Sequence, residues 1–128
     1  MCAARRTVLI IDDDPGVTQT FCKMLQLAGY DALATVDADT GLRDIATTRP
    51  DAILLDLRMP STDGLTFMRR LRAQERDRHT PVAIITGDYS VDETLSRELR
   101  ALDATICFKP MWLGDLVAVI EGLLRNTP

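Results

Sequence analysis

Histidine is almost missing from this sequence: His79 is the only one in 128 residues. Chemistry built on several imidazoles, including most zinc sites, is excluded on that ground. Cysteine is also scarce. Cys2, Cys22 and Cys107 are odd in number and fit no zinc spacing, so neither a disulfide framework nor a finger is expected. No apolar run approaches the roughly 18 residues of a membrane helix. The opening Met1-Cys2-Ala3-Ala4-Arg5-Arg6 lacks the apolar stretch and cleavage site of a signal peptide. A cytoplasmic chain without membrane contact is the expectation. Nor is there an excess of basic charge: 15 Lys+Arg stand against 19 Asp+Glu, a net charge of −4, which argues against direct nucleic-acid binding. Two residue types are rare within those totals. Only Lys23 and Lys109 are lysine, and only four acidic residues are glutamate. The other fifteen are aspartate, a poor helix-interior residue but a good cap, turn and metal-ligand residue.

What is present is an ordinary globular balance, 46% hydrophobic and 27% charged. The length suits one domain, with a core over about residues 7–124. Two periods alternate along the chain. Thr7-Val8-Leu9-Ile10-Ile11 is an uninterrupted apolar run, as in a strand buried on both faces. Asp14-Pro15 then reads as a helix N-cap and first turn, with Val17, Phe21, Met24, Leu25 and Ala28 at helical spacing and Gly29 as the stop. The unit recurs four times. A weak strand at Asp31–Thr35 precedes a helix carrying Leu42, Ile45 and Ala46. The strand Ala52–Leu55 precedes a helix with Leu65, Met68 and Leu71 inward. The strand Val82–Ile85 precedes a helix from about Val91 to Leu102. The strand Thr105–Phe108 precedes a helix burying Leu113, Leu116, Val117, Ile120, Leu123 and Leu124. Five βα units predict an α/β fold: a doubly wound, five-stranded parallel sheet, (βα)5, in the flavodoxin-like order 2-1-3-4-5.

Function in such a sheet lies beyond the carboxyl ends of the strands. The first strand delivers Asp12 and Asp13 there, the third Asp56, the fourth Thr86 and the fifth Lys109. Three carboxylates in one small site repel unless a cation relieves them, and Mg²⁺ prefers carboxylate, backbone and water oxygens. An ammonium and a hydroxyl beside that cluster suit a phosphoryl group, whose charge spreads over three oxygens. Carboxylates accept phosphoryl groups, and Asp56, alone at the end of a central strand, is the best candidate nucleophile.

Those residues, with Leu9-Ile10-Ile11-Asp12-Asp13-Asp14-Pro15, Asp56-Leu57-Arg58-Met59-Pro60-Ser61-Thr62-Asp63-Gly64, Thr86 and Lys109-Pro110 in order, resemble the receiver domain of two-component response regulators. The resemblance covers about Thr7 to Leu124. It implies that Asp56 is the phosphoacceptor and that Mg²⁺ (or Mn²⁺) is held by Asp13 directly, by Asp12 mainly through water, by Asp56, and by the Arg58 carbonyl. It implies that Thr86 binds a phosphoryl oxygen and moves on activation. Lys109 pairs with the phosphoryl group or, before phosphorylation, with Asp56, and the Lys109–Pro110 peptide is cis. A histidine kinase or histidine phosphotransfer protein supplies the phosphoryl group, and a downstream protein target reads the result; the domain is no enzyme beyond its own phosphorylation and dephosphorylation. A homodimer through the fourth-helix and fifth-strand face is a further possibility. Three positions depart from the family pattern: Ile106 stands where Tyr or Phe is usual, Leu102-Asp103 replaces a Gly-Ala pair, and Gly87 follows the threonine in place of Ala.

Two other functions fit parts of the pattern. Asp12-Asp13-Asp14 could serve a phosphohydrolase of the haloacid dehalogenase type, although Asp56 would then have no task. The missing aromatic at Ile106 could mark an interaction domain that needs no phosphorylation. The remaining polar features have simpler readings: Asp14 as a cap, Asp63-Gly64 as turn chemistry, His79 and Lys23 as solvated, and Arg69, Arg70, Arg72, Arg76 and Arg78 as a solvated helix face. Cys107 reads as a small buried hydrophobe, and Trp112 as core edge more readily than as a partner anchor.

Overall fold

The computed structural model describes residues 5–59, 62–87 and 91–125. Cys2, the Pro60-Ser61 part of the loop after Asp56, and residues 88–90 of the loop after Thr86 lie outside them. Five strands, β1 (Thr7–Ile11), β2 (Asp31–Thr35), β3 (Ala52–Leu55), β4 (Val82–Thr86) and β5 (Ala104–Phe108), form one parallel sheet in the order β2-β1-β3-β4-β5. They alternate with helices α1 (Pro15–Leu27), α2 (Ala38–Thr48), α3 (Gly64–Ala73), α4 (Glu93–Ala101) and α5 (Leu113–Arg125); a 3-10 turn, Glu75–Asp77, follows α3.

Strand alternation sorts the core into two layers. Val8, Ile10, Ala52, Leu54, Ala83 and Ile85 face Phe21 and Leu25 of α1 and Leu116 and Ile120 of α5. Leu9, Ile11, Ile53, Leu55, Val82 and Ile84 face α2, α3 and α4 through Ile45, Phe67, Met68, Leu71 and Leu99. Each fully buried Leu, Ile or Phe contributes about 1.5–3 kcal/mol relative to exposure, so the three central strands are locked by their own composition.

The helix starts follow the aspartates. Asp14, Asp37, Asp63 and Asp92 are the N-caps of α1 to α4, each accepting a backbone N–H from the first turn. Those of α2, α3 and α4 accept from Thr40, Thr66 and Leu95 at 2.8 Å. This explains much of the aspartate excess. Gly29 closes α1 with φ 97°, a left-handed conformation open to glycine. Arg49 and Asp103 take φ 48° and 60° without that freedom.

Several details differ from the periodic reading. Phe67, fully buried, joins Met68 and Leu71 in the inward face of α3; it sits at position i−4 from Leu71 and fits the same stripe. Helix α4 begins at Glu93, because Asp92 caps it, and β5 begins at Ala104. Leu113 is 41% exposed and Trp112 69% exposed, so neither belongs to the core; both precede the point where α5 turns its face onto the sheet. Val117, Leu123, Leu124 and Cys107 are half-buried, and Ala28 is exposed. Arg72 does not lie on a solvated face. Its guanidinium bonds the carbonyls of Leu102 (2.8 Å), Asp77 (2.9 Å) and Thr80 (2.7 Å), tying α3 to the turns before β4 and β5. Arg69 and Arg70 remain on the surface, paired with Glu98 and Asp39.

Candidate functional site at the strand ends

Four strands converge on one crevice because the order reverses between β1 and β3, so the helices after them leave on opposite faces. Asp12, one residue past β1, is buried; its N–H donates to the Thr35 carbonyl at 3.2 Å. Asp13 is exposed beside it. Asp56, one residue past β3, is buried, and its N–H donates to the Ile11 carbonyl at 2.8 Å. These two backbone bonds set Asp12 and Asp56 side by side. Thr86, the last residue of β4, is also buried, and its carbonyl accepts the Lys109 N–H at 2.8 Å.

One oxygen from each of Asp12, Asp13 and Asp56 lies within 4.8 Å of the others, close enough to share a metal ion. The donor set is all oxygen, the kind a hard divalent cation takes. Lys109 brings an ammonium into contact with the cluster: its Nζ donates to Asp12 Oδ2 at 2.9 Å and stands 3.7 Å from Asp56 Oδ1. The shorter contact is thus with Asp12, whose other oxygen accepts the Asp14 N–H at 3.0 Å. Asp12 is fixed at both oxygens, while Asp56 keeps a looser contact to the same ammonium.

The electrostatics follow from three carboxylates and one ammonium. Burial pushes the Asp56 carboxyl up to about 6, the neighbouring Asp12 and Asp13 charges push the same way, and Lys109 only partly offsets them. For Lys109 burial pulls downward, but its hydrogen bond to Asp12 and the charges of Asp56 and Asp12 outweigh it, and the net shift is upward. The ammonium is therefore held charged, and the carboxylate cluster is left under-compensated.

The loop after Asp56 is held by close packing. Leu57 and Met59 are buried and Arg58 is exposed. The Gly64 N–H donates to the Leu57 carbonyl at 2.8 Å. A Cβ on Gly64 would lie 3.1 Å from Leu57 Cα and 3.3 Å from its carbonyl oxygen. Glycine is required there by close approach, which the turn reading of Asp63-Gly64 did not anticipate. The Lys109–Pro110 peptide is cis. Ile106 lies in the middle of β5, half-buried against the α4-side core. Asp14 caps α1 through Gly16 N at 2.8 Å, and His79 is exposed at the opposite end of the sheet, before β4.

A doubly wound sheet with an acidic cluster, a lysine and a threonine at its switch point defines a small flavodoxin-like domain with a polar site at the strand ends. Comparison with known proteins makes the class specific. The sequence matches the response regulator receiver domain over residues 8–121, and the chain belongs to that family. It is 37% identical over 119 residues to the transcriptional regulatory protein PrrA of Mycobacterium leprae, covering 93% of this chain and 50% of that protein. It is 34% identical over 120 residues to the DNA-binding dual master transcriptional regulator RpaA of Synechocystis, covering 94% and 49%. The chain spans about half the length of these curated relatives. Among solved structures it is similar to the chemotaxis protein CheY4 of Vibrio cholerae, with a TM-score of 0.87 at 28% identity, covering 94% of this chain and all of that one. A phosphorylation-dependent signalling switch fits this family, whose receiver domains are generally not enzymes; neither the phosphohydrolase nor the phosphorylation-independent reading is favoured. Among the described residues, no helix is long and apolar enough to cross a membrane.

Proposed function

We propose that the 128 residues act as one receiver domain, core about 7–124, in which Asp56 accepts a phosphoryl group from a phosphohistidine of a histidine kinase or phosphotransfer protein. An Asp56 oxygen attacks phosphorus, the P–N bond to the donor imidazole breaks, and the electron pair returns to the ring nitrogen, which takes a proton. Lys109 stays charged beside the reacting oxygens, and the Thr86 hydroxyl donates to a phosphoryl oxygen. The carboxylates of Asp12, Asp13 and Asp56 and the Arg58 carbonyl are the groups that would hold Mg²⁺ (or Mn²⁺), which when bound offsets charge on the carboxylates and on the transferring phosphoryl oxygens. The same groups serve dephosphorylation, so both steps are self-catalysed and no substrate is turned over.

The observation that carries this reading is the gathering of three carboxylates within 4.8 Å around a lysine at 2.9 and 3.7 Å. Phosphorylation replaces one carboxylate charge with roughly two negative charges. That change biases Thr86, the loop after it, α4 and β5, and so alters affinity for a downstream protein target. A cytoplasmic location belongs to the same proposal. The phosphohydrolase alternative would need Asp14 as its second acid, whereas Asp14 Oδ1 accepts the Gly16 N–H as the cap of α1 and Asp56 would be left without a task. Intact-mass spectrometry with a small-molecule phosphodonor tests the assignment: one acid-labile, Mg²⁺-dependent phosphoryl adduct is expected, absent from Asp56→Ala. No adduct on the wild type, or the same adduct on the variant, would refute it.

A further inference from the structure

The net charge of −4 averages two unlike ends of the molecule. The sheet is parallel, so every strand starts, and every α-helix stops, at the same end. At the opposite end, where the strands stop, carboxylates prevail: the strand-end cluster, the aspartate caps, Asp39, Glu93 and Asp115 stand against Arg58 and Lys109. A five-residue strand is about 16 Å long, twice the screening length of about 8 Å at physiological salt. Charge at one end is therefore felt weakly at the other, and each end meets its partners separately.

The end where the strands start is the basic one. Arg6, Arg49, Arg78 and Arg100 precede β1, β3, β4 and β5 by one to four residues, and all are exposed. Among the described residues, their side chains make no hydrogen bond or ion pair. Arginines elsewhere are engaged, Arg69 with Glu98, Arg70 with Asp39 and Arg97 with Glu93. The acids of the basic end are mostly occupied within the fold. Asp51 Oδ2 accepts the Thr7 N–H at 2.7 Å. Asp77 is buried and accepts from the Thr80 hydroxyl and from Arg76, each at 3.3 Å. Asp31 has Arg5 at 3.9 Å, and Glu75 and Asp103 stay exposed. Near the starts of β1, β3 and β4, Arg6, Arg76 and His79 line a hollow of about 390 Å³.

The character of this end selects the class of partner. A protein partner wants an apolar, often aromatic, centre to its interface. Of the large hydrophobics exposed among the described residues, only Leu27 lies here, at the corner where α1 stops. A nucleic acid wants positive charge without an apolar centre, and guanidinium groups match phosphate oxygens in pairs. The strands behind the four arginines are neighbours in the sheet, so the row spans three strand spacings, about 14 Å. Duplex DNA carries about eight charges over that length, at one per 1.7 Å or so, more than enough to engage every arginine in the row.

We propose that the strand-start end of this domain is a docking surface for the phosphate backbone of a nucleic acid, held by Arg6, Arg49, Arg78 and Arg100 without regard to base sequence. Net charge by itself argues against such a partner, but the carboxylates behind it sit at the far end. The surface takes no part in the chemistry of Asp56.

Fluorescence anisotropy with a labelled DNA duplex of arbitrary sequence, at about 50 to 200 mM salt, reads the outcome. The wild type should bind with a dissociation constant of roughly 10⁻⁴–10⁻⁶ M, and log K against log salt should fall with a slope of about −3.6, or about −0.9 for each arginine on a phosphate. Arg6→Ala, Arg49→Gly, Arg78→Ala and Arg100→Ala should each flatten that slope by about 0.9. Glycine suits position 49, where φ is 48°. A second duplex of unrelated sequence should bind equally well, and Arg97→Ala on the flank of α4 should change neither affinity nor slope. A wild type that binds no duplex at the lowest salt would overturn the proposal. So would a slope untouched by the four substitutions, or a loss on Arg97→Ala equal to theirs. Poly-glutamate that displaces the duplex as well, charge for charge, as unlabelled DNA does would also overturn it and assign the surface to an acidic protein.

Discussion

Asp56→Asn should make the metal-free protein more stable at neutral pH, and by an amount that depends on pH in a definite direction. Asp56 titrates at about 6 in the fold against an ordinary 3.8, because it is buried beside Asp12 and Asp13. A carboxyl whose folded value is raised favours folding in its protonated form. Its contribution is fully present below about 4 and is lost as pH rises through about 6. A shift of roughly two units corresponds to about 3 kcal/mol, and this is the cost of ionising Asp56 in the native state. Asn keeps the shape and drops the charge. Urea unfolding without divalent cation should therefore show the two proteins equal near pH 4 and the variant ahead by about 2–3 kcal/mol near pH 7.5. Asp37 and Asp63 titrate in a different window. As N-caps their values are lowered, so their stabilisation is complete above the ordinary carboxylate range and fades only as pH falls below it. Added Mg²⁺ should stabilise the wild type, by about 2.7 kcal/mol at a hundred times its dissociation constant, and Asp56→Asn by less. A stability difference that is flat between pH 4 and 7.5, or a variant less stable than wild type at 7.5, would refute the electrostatic account of the site.

Lys109→Ala should slow phosphorylation by a small-molecule donor about tenfold or more, since it removes the ammonium facing Asp12 and Asp56; a time course of intact mass checks this. Gly64→Ala should cost about 1–3 kcal/mol through the contact with Leu57 backbone atoms, read as a lower urea midpoint. Arg72→Ala should cost about 2–4 kcal/mol, because it strips a guanidinium from the carbonyls of Leu102, Asp77 and Thr80, again read by urea unfolding. Arg49→Gly should stabilise by about 0.5–1 kcal/mol, since Arg49 ends α2 at φ 48° where glycine is at ease; thermal unfolding shows it.

Where periodicity and chemistry coincide, the linear order of residues was enough. The short, β-branched β1 run Val8–Ile11 reads as a strand buried on both faces, and its abrupt end in three aspartates points to a strand-end site. The same logic points to Asp56 and Thr86, each after an apolar run of four residues, and to Lys109 after the shorter run Ile106-Cys107-Phe108. Asp14 and Gly29 are readable as cap and stop for local reasons, whereas Asp63, read as turn chemistry, is also the N-cap of α3. Phe67 was missed although it fits its helical stripe. Trp112 and Leu113 were misplaced because hydrophobicity alone does not say where a helix first meets the sheet. Arg72 was hidden in a run of arginines; its partners at positions 77, 80 and 102 are scattered along the chain.

Composition and spacing by themselves determined the five βα units, the parallel sheet and the identity of the strand-end groups, since burial and hydrogen bonding act on short segments with fixed periods. The tertiary structure alone decided distances. It placed the Lys109 ammonium closer to Asp12 than to Asp56, pinned Gly64 against Leu57, and set the Arg72 guanidinium among the carbonyls of Leu102, Asp77 and Thr80. Those outcomes depend on strands far apart in sequence docking in one register, and no local pattern encodes the separation between two side chains that meet only there.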